Sequence, residues 1–182
     1  ARTQETILAQ LLEAKKLCDK AELIWKWPRI TRDDFIDLAL PLLSEVQVNG
    51  IMVENVGPAW AIKEKMPEMP IYGGSGLNVW NHLTAQALAP QFCWLTLSPE
   101  LSSHQLAHTA AALRAQPDRD GTPKLELIVQ GSLEVVVAED SIPQLAKGSY
   151  SDELWGLQDF KHIFPLWVDD EGRTDIFNCA ET

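Results

Sequence analysis

The sequence predicts an α/β protein: a partial or degenerate (β/α) TIM-type barrel followed by a C-terminal β-hairpin. Two observations carry this expectation. Over residues 4–131, short apolar runs alternate with amphipathic stretches about every 25 residues, the spacing of βα units around a parallel sheet. After Gly131 the alternation stops, and two apolar runs flank Asp169-Asp170-Glu171-Gly172-Arg173, the pattern of a hairpin.

The elements follow in order. Ile7, Leu8, Leu11, Leu12 and Leu17 make a helical stripe over residues 4–18. Residues 21–27 read as a strand stopped by Pro28-Arg29. A helix then starts near Asp33, with Thr31 or Asp33 as its cap. Residues 48–53 form a second strand ending at Glu54-Asn55, and Gly57-Pro58 opens a short helix. Residues 69–72 form a third strand, followed by the turn Gly73-Gly74-Ser75-Gly76 and a helix expected over residues 78–88. Residues 92–97 and 124–129 are the fourth and fifth strands, separated by a helix over residues 102–115 and a polar loop over 117–123. Residues 133–138 are apolar, 149–159 read as polar and turn-like, and 163–168 and 174–178 are the hairpin arms. A closed eight-stranded barrel typically needs about 250 residues, so this chain of 182 residues falls short of one. The expected division is a barrel-like core over 1–131 and an extension over 132–182 packed on the same domain.

Charge and cysteine content narrow the function. The net charge of −11 repels phosphate backbones, and no Lys/Arg cluster offsets it, so nucleic acid is a disfavoured partner. Three cysteines with no Cys-x-x-Cys spacing exclude a disulfide framework and a cysteine-rich zinc site, and they fit a reducing, cytoplasmic setting. No apolar run is long enough for a membrane span, and no signal-peptide pattern opens the chain. It begins with Ala1-Arg2-Thr3, which fits a processed chain or a segment of a longer protein.

Candidate site residues come from position. Arg29, Glu54, Asn55, Asn78, Ser98, Glu100 and Gln130 all fall just past the carboxyl end of an expected strand. In parallel sheets that edge is where ligands bind. Glu100 is the first candidate for a general base and Glu54 the second; Arg29, Asn55, Asn78, Ser98 and Gln130 would position a peptide or small polar substrate. The structural alternative is that the same residues cap helices and satisfy turns. The glycine turn fails as a dinucleotide fingerprint because Val79 replaces the third glycine. His104-Gln105-Leu106-Ala107-His108 has the outline of a His-Glu-x-x-His zinc helix, but Gln105 cannot take a proton. With Leu106, Ala110 and Leu113 facing the core, the helical period turns both histidines to solvent. No metal and no cofactor is expected.

Several segments resemble the peptidase U32 (collagenase-like protease) family: Glu54-Asn55-Val56-Gly57, Gly76-Leu77-Asn78-Val79-Trp80-Asn81, Leu97-Ser98-Pro99-Glu100-Leu101, Glu126-Leu127-Ile128-Val129-Gln130-Gly131, and Phe164-Pro165-Leu166 with Gly172-Arg173-Thr174-Asp175-Ile176-Phe177-Asn178. The resemblance covers the chain from about Trp27 onward. It implies a (β/α) barrel core and a hydrolase acting on peptide bonds. Other branches of that family resemble iron–sulfur enzymes that hydroxylate RNA or quinone precursors, and the alternative for this chain is a segment of such an enzyme with its cluster ligands elsewhere or lost. Here Ser141 stands where those sequences tend to place their first cysteine, and a cubane cluster takes four thiolates. A third reading is a non-catalytic binding or assembly module, with further domains or a second copy covering the barrel edges.

Overall fold

The parallel sheet runs in chain order. In a computed structural model describing residues 3–18, 20–115, 121–147 and 155–179, strands β1 (Ile24–Lys26), β2 (Gly50–Val53), β3 (Ile71–Gly73), β4 (Trp94–Thr96) and β5 (Lys124–Glu126) pair as β1-β2-β3-β4-β5. Every pairing is parallel. That order arises when each right-handed crossover adds the next strand on the same side; a doubly wound sheet would reverse direction partway. β1 and β5 remain edges, and the sheet does not close into a barrel.

The crossovers carry α1 (Gln4–Leu17), α2 (Asp33–Val46), α3 (Val56–Lys65), α4 (His82–Leu88) and α5 (Ser103–Arg114). Successive strand residues alternate between faces. Ile51, Val53, Ile71 and Leu95 lie on the buried face, within one apolar cluster with Ala39, Leu42, Leu43, Val46, Ala59 and Ile62 of the helices. The opposite face carries a single register row across all five strands: Lys26, Met52, Tyr72, Trp94 and Lys124. Its middle three side chains are half-buried and the two end lysines exposed.

Local signals place the helix ends. Ser102 caps α5, and Gln105 returns the hydrogen bond to the Ser102 N–H, a reciprocal capping box. Gln105 is therefore explained by helix initiation, and His104 and His108 are exposed, as the helical period requires. α2 starts without a side-chain cap: its N-cap residue is Arg32, while Thr31 donates to the Pro28 carbonyl instead.

Beyond the parallel sheet, β6 (Glu134–Ala138), β7 (Trp155–Gln158), β8 (Ile163–Val168) and β9 (Thr174–Phe177) form an antiparallel sheet in the order β6-β9-β8-β7, with a short helix α6 (Ile142–Lys147). The expected hairpin is β8–β9. Its turn is tied by Asp169, whose Oδ1 accepts the Glu171 and Arg173 N–H groups at 2.9 Å each, with Gly172 at φ +83°. Thr174 is fully buried; its hydroxyl donates to the Asp140 carbonyl at 2.8 Å and accepts from the Ile142 N–H at 3.0 Å. The two sheets belong to separate compact units that divide between Ile128 and Val129.

Two expectations are corrected. The stretch 149–159 contains β7, paired antiparallel with β8, where the sequence reads as a turn; Gly156 and Gln158 mask its strand character, and residues 148–154 lie outside the described set. The helix expected from residue 78 starts only at His82, capped by Asn81. Most of the expected loop over 117–123 also lies outside the described residues.

Candidate functional site at the carboxyl edge of the parallel sheet

Each strand of the parallel sheet hands its last side chains to one edge. Two positions past the aromatic row, Thr96 and Glu126 pair on β4 and β5, while Glu54 and Gly74 follow the last residues of β2 and β3. Glu54 is the most constrained. It is 5% exposed although it follows a strand end. Its Oε2 accepts the Gly76 N–H at 2.6 Å, and its Oε1 lies 2.9 Å from the Lys26 ammonium. A buried carboxylate needs such partners, because an unpaired charge in a low-dielectric site is strongly unfavourable. Lys26 itself is 56% exposed, so water screens much of the pair's attraction.

The glycine turn is shaped around this carboxylate. After β3, the Gly74 N–H donates to the Val53 carbonyl at 2.9 Å, and residues Ser75–Leu77 make a single 3-10 turn. Asn78 ends that turn in the left-handed region at φ 49°, a conformation that asparagine tolerates better than most residues. This reversal returns Val79 to the sheet, where it bridges Leu97 in parallel. The glycine turn is thus occupied by the protein's own carboxylate.

Of the residues expected at the rim, several are taken up by local structure. Asn55 caps α3, accepting the Gly57 N–H at 3.1 Å and donating to the Arg29 carbonyl at 3.4 Å. The Asn78 side-chain carbonyl accepts the Trp80 indole N–H at 2.7 Å. Ser98 is 1% exposed, and its N–H donates to the Val79 carbonyl at 3.0 Å. Arg29 is half-buried in the segment that follows β1. Glu100 stands exposed on the turn before α5. Gln130 falls in the second compact unit, so it joins no row of the parallel sheet.

Three rim residues escape a reading based on strand ends: Lys26, Thr96 and Glu126. They sit inside their strands. Thr96 is 3% exposed and donates its hydroxyl to Oε2 of Glu126 at 2.8 Å. The signal available in sequence was a charged residue inside an apolar run, as in Trp25-Lys26-Trp27 and Leu125-Glu126-Leu127.

Beneath the rim, Tyr72 and Trp94 stack with centroids 6.1 Å apart, and the Lys124 ammonium lies 4.9 Å over the Trp94 ring. Burial raises the Tyr72 pKa above the usual phenol range, helped by negative charge at Cys93, Glu22 and Glu126.

The chain does not fit a four-thiolate cluster: its three cysteines are free and exposed, Cys18 and Cys93 in one unit and Cys179 in the other. Among the described residues no group of three or more His, Cys, Asp or Glu gathers in metal-binding geometry, and no helix is long and apolar enough to cross a membrane. No family model, curated protein or solved structure matches the chain.

Proposed function

We propose that this chain is a peptidase U32-like domain, a partial (β/α) barrel that binds a peptide or small polar substrate at its carboxyl edge and hydrolyses peptide bonds. One observation carries the reading. The segments 54–57, 76–81 and 97–101, which bear the resemblance, follow β2, β3 and β4, neighbours in one parallel sheet. They therefore lie side by side at the edge where such sheets bind ligands. In this reading Glu100 is the base that activates water, since its carboxylate is exposed while that of Glu54 is committed to Lys26 and the glycine turn. Glu54 then holds the rim in shape. The setting is cytoplasmic, and the edges at β1 and β5 are covered by further domains of a longer chain or by a second copy.

Peptide cleavage by the intact protein, compared with its Glu100→Gln variant, tests this. The expected outcome is cleavage that falls by at least about a hundredfold in the variant, the usual scale for removing a general base. Full activity in the variant would end the assignment to Glu100.

A second reading, a non-catalytic binding module, is favoured by the engagement of both Glu54 oxygens, which takes up one of the two carboxylates, Glu100 and Glu54, expected to divide acid and base roles. Substrate binding without turnover in the same experiment would select it.

A further inference from the structure

The crossover helices after β3 and β4 bring two histidines together. His82 is the first residue of α4, and His108 lies on α5, which packs against α4. Their ring centroids are 6.2 Å apart, with the planes inclined at 59°. Sequence spacing does not show this pair, because β4 lies between the two helices in the chain. It shows His104 and His108 instead, one helical turn apart on α5.

The pair has an unfilled position. His82 is half-buried, and its Nδ1 is buried with no hydrogen-bond partner. Asn81 beside it is committed elsewhere, its side-chain carbonyl accepting the Thr84 N–H at 3.0 Å. A buried imidazole nitrogen without a partner is unfavourable, and such a group in a folded protein calls for an explanation. A metal ion supplies one. An ion held at about 2.0–2.1 Å by one nitrogen of each ring sets the ring centroids roughly 5–6.5 Å apart, and 6.2 Å falls within that range. A metal–nitrogen bond is also much shorter than the roughly 2.9 Å of a hydrogen bond, so a bare ion reaches a nitrogen that water does not.

We propose that His82 and His108 bind a divalent transition-metal ion, Zn²⁺ foremost, between α4 and α5. Neutral imidazole is a good ligand for Zn²⁺. Two protein ligands leave the other tetrahedral positions to water, so the ion is an exchangeable clip between two helices rather than a closed structural centre. The net charge of −11 favours the approach of a cation. This site stands apart from the peptidase reading and does not depend on it.

Calorimetric titration of the intact protein with zinc chloride tests the proposal. The expected result is one site per chain, and a melting temperature that rises with Zn²⁺ because the ion binds the folded state. Outer partners of metal ligands are already worth about 10–100-fold in affinity. His82→Ala and His108→Ala should therefore each weaken binding by at least about tenfold, while His104→Ala leaves it nearly unchanged. Equal melting temperatures in the presence of a chelator establish that the variants are folded. His82→Gln, which keeps a polar side chain of similar size, replaces His82→Ala should that variant melt early. Substituting Co²⁺ identifies the donors, since the three exposed cysteines also offer sulfur. Visible bands without a thiolate-to-cobalt absorption support the histidine pair, and a thiolate absorption would overturn it. Absence of Zn²⁺ binding would overturn the site altogether. Binding that survives His82→Ala but is lost in His104→Ala would place the ion on α5 alone and overturn the assignment to His82.

Discussion

Glu54 fills the space that a side chain on Gly74 would occupy: an ideal Cβ there would lie 2.4 Å from Oε1 and 2.6 Å from Oε2. The same holds at Gly76, where a Cβ would lie 2.7 Å from Oε2 and 2.8 Å from the Glu54 backbone carbonyl. These two glycines are required by a side chain that follows the neighbouring strand β2. Gly74 itself has extended backbone, with φ −77° and ψ 179°, which any residue adopts.

Gly74→Ala should therefore destabilise the protein by about 1–3 kcal/mol, the usual cost of overpacking a tight site. In a Glu54→Ala background the same change should cost less than half as much, because the clashing carboxylate is gone. Urea denaturation of the two single variants and the double variant checks this. Strictly additive effects would separate Gly74 from Glu54.

The α5 capping box makes a local prediction. Ser102→Ala should cost about 1 kcal/mol by removing the acceptor for the Gln105 N–H. Gln105→Glu keeps a side-chain acceptor for the Ser102 N–H and should be nearly neutral in the same denaturation assay. A large loss from Gln105→Glu would mean that this side chain does more than start the helix.

Acid should weaken the antiparallel unit through Asp159. The Lys161 N–H, then the His162 N–H, hold its carboxyl below the usual range, with a smaller contribution from the His162 charge. A depressed pKa means that stability is present above the unfolded carboxylate value and is lost as pH falls through the folded one. The gap in melting temperature between the protein and Asp159→Asn should be widest above about pH 5 and close toward more acidic pH. A gap that widens in acid would reverse the assignment.

Cys93 should alkylate late. Although the residue as a whole is exposed, partial burial of its Sγ pushes the thiol up from the usual range, against weaker opposing hydrogen bonds, and the Sγ donates to the Ile71 carbonyl at 3.1 Å. The thiolate is the reactive form, so the pH profile of alkylation at Cys93, followed by mass spectrometry, should lie to the alkaline side of a free thiol. A midpoint at or below that of a free thiol would contradict it.

The parallel sheet was legible because each βα unit carries its own punctuation. Pro28 after β1, Gly57-Pro58 in the first turn of α3, and Ser102 before α5 mark boundaries through local backbone chemistry. The strands came out shorter than their apolar runs: β5 covers Lys124–Glu126 within a run expected to reach residue 129. Hydrophobicity does not report where a ladder of hydrogen bonds stops. β7 was missed for the complementary reason, since Trp155-Gly156-Leu157-Gln158 is held by its pairing with β8 and has little strand character of its own.

The sequence by itself determined the alternation of strand and helix, the hairpin at Asp169–Arg173, the solvent-facing histidines of α5, and the edge on which polar residues gather. These follow from periodicities and turn residues that act within a few positions along the chain. Only the tertiary structure decided that Glu54 is buried against Gly76 and paired with Lys26, that Asn55 and Asn78 serve neighbouring turns, that Gln130 lies in another unit, and that Thr96 and Glu126 are bonded to each other across β4 and β5. The reason is register. Which residues of neighbouring strands stand side by side depends on how the strands slide past one another, and packing between strands far apart in sequence sets that offset.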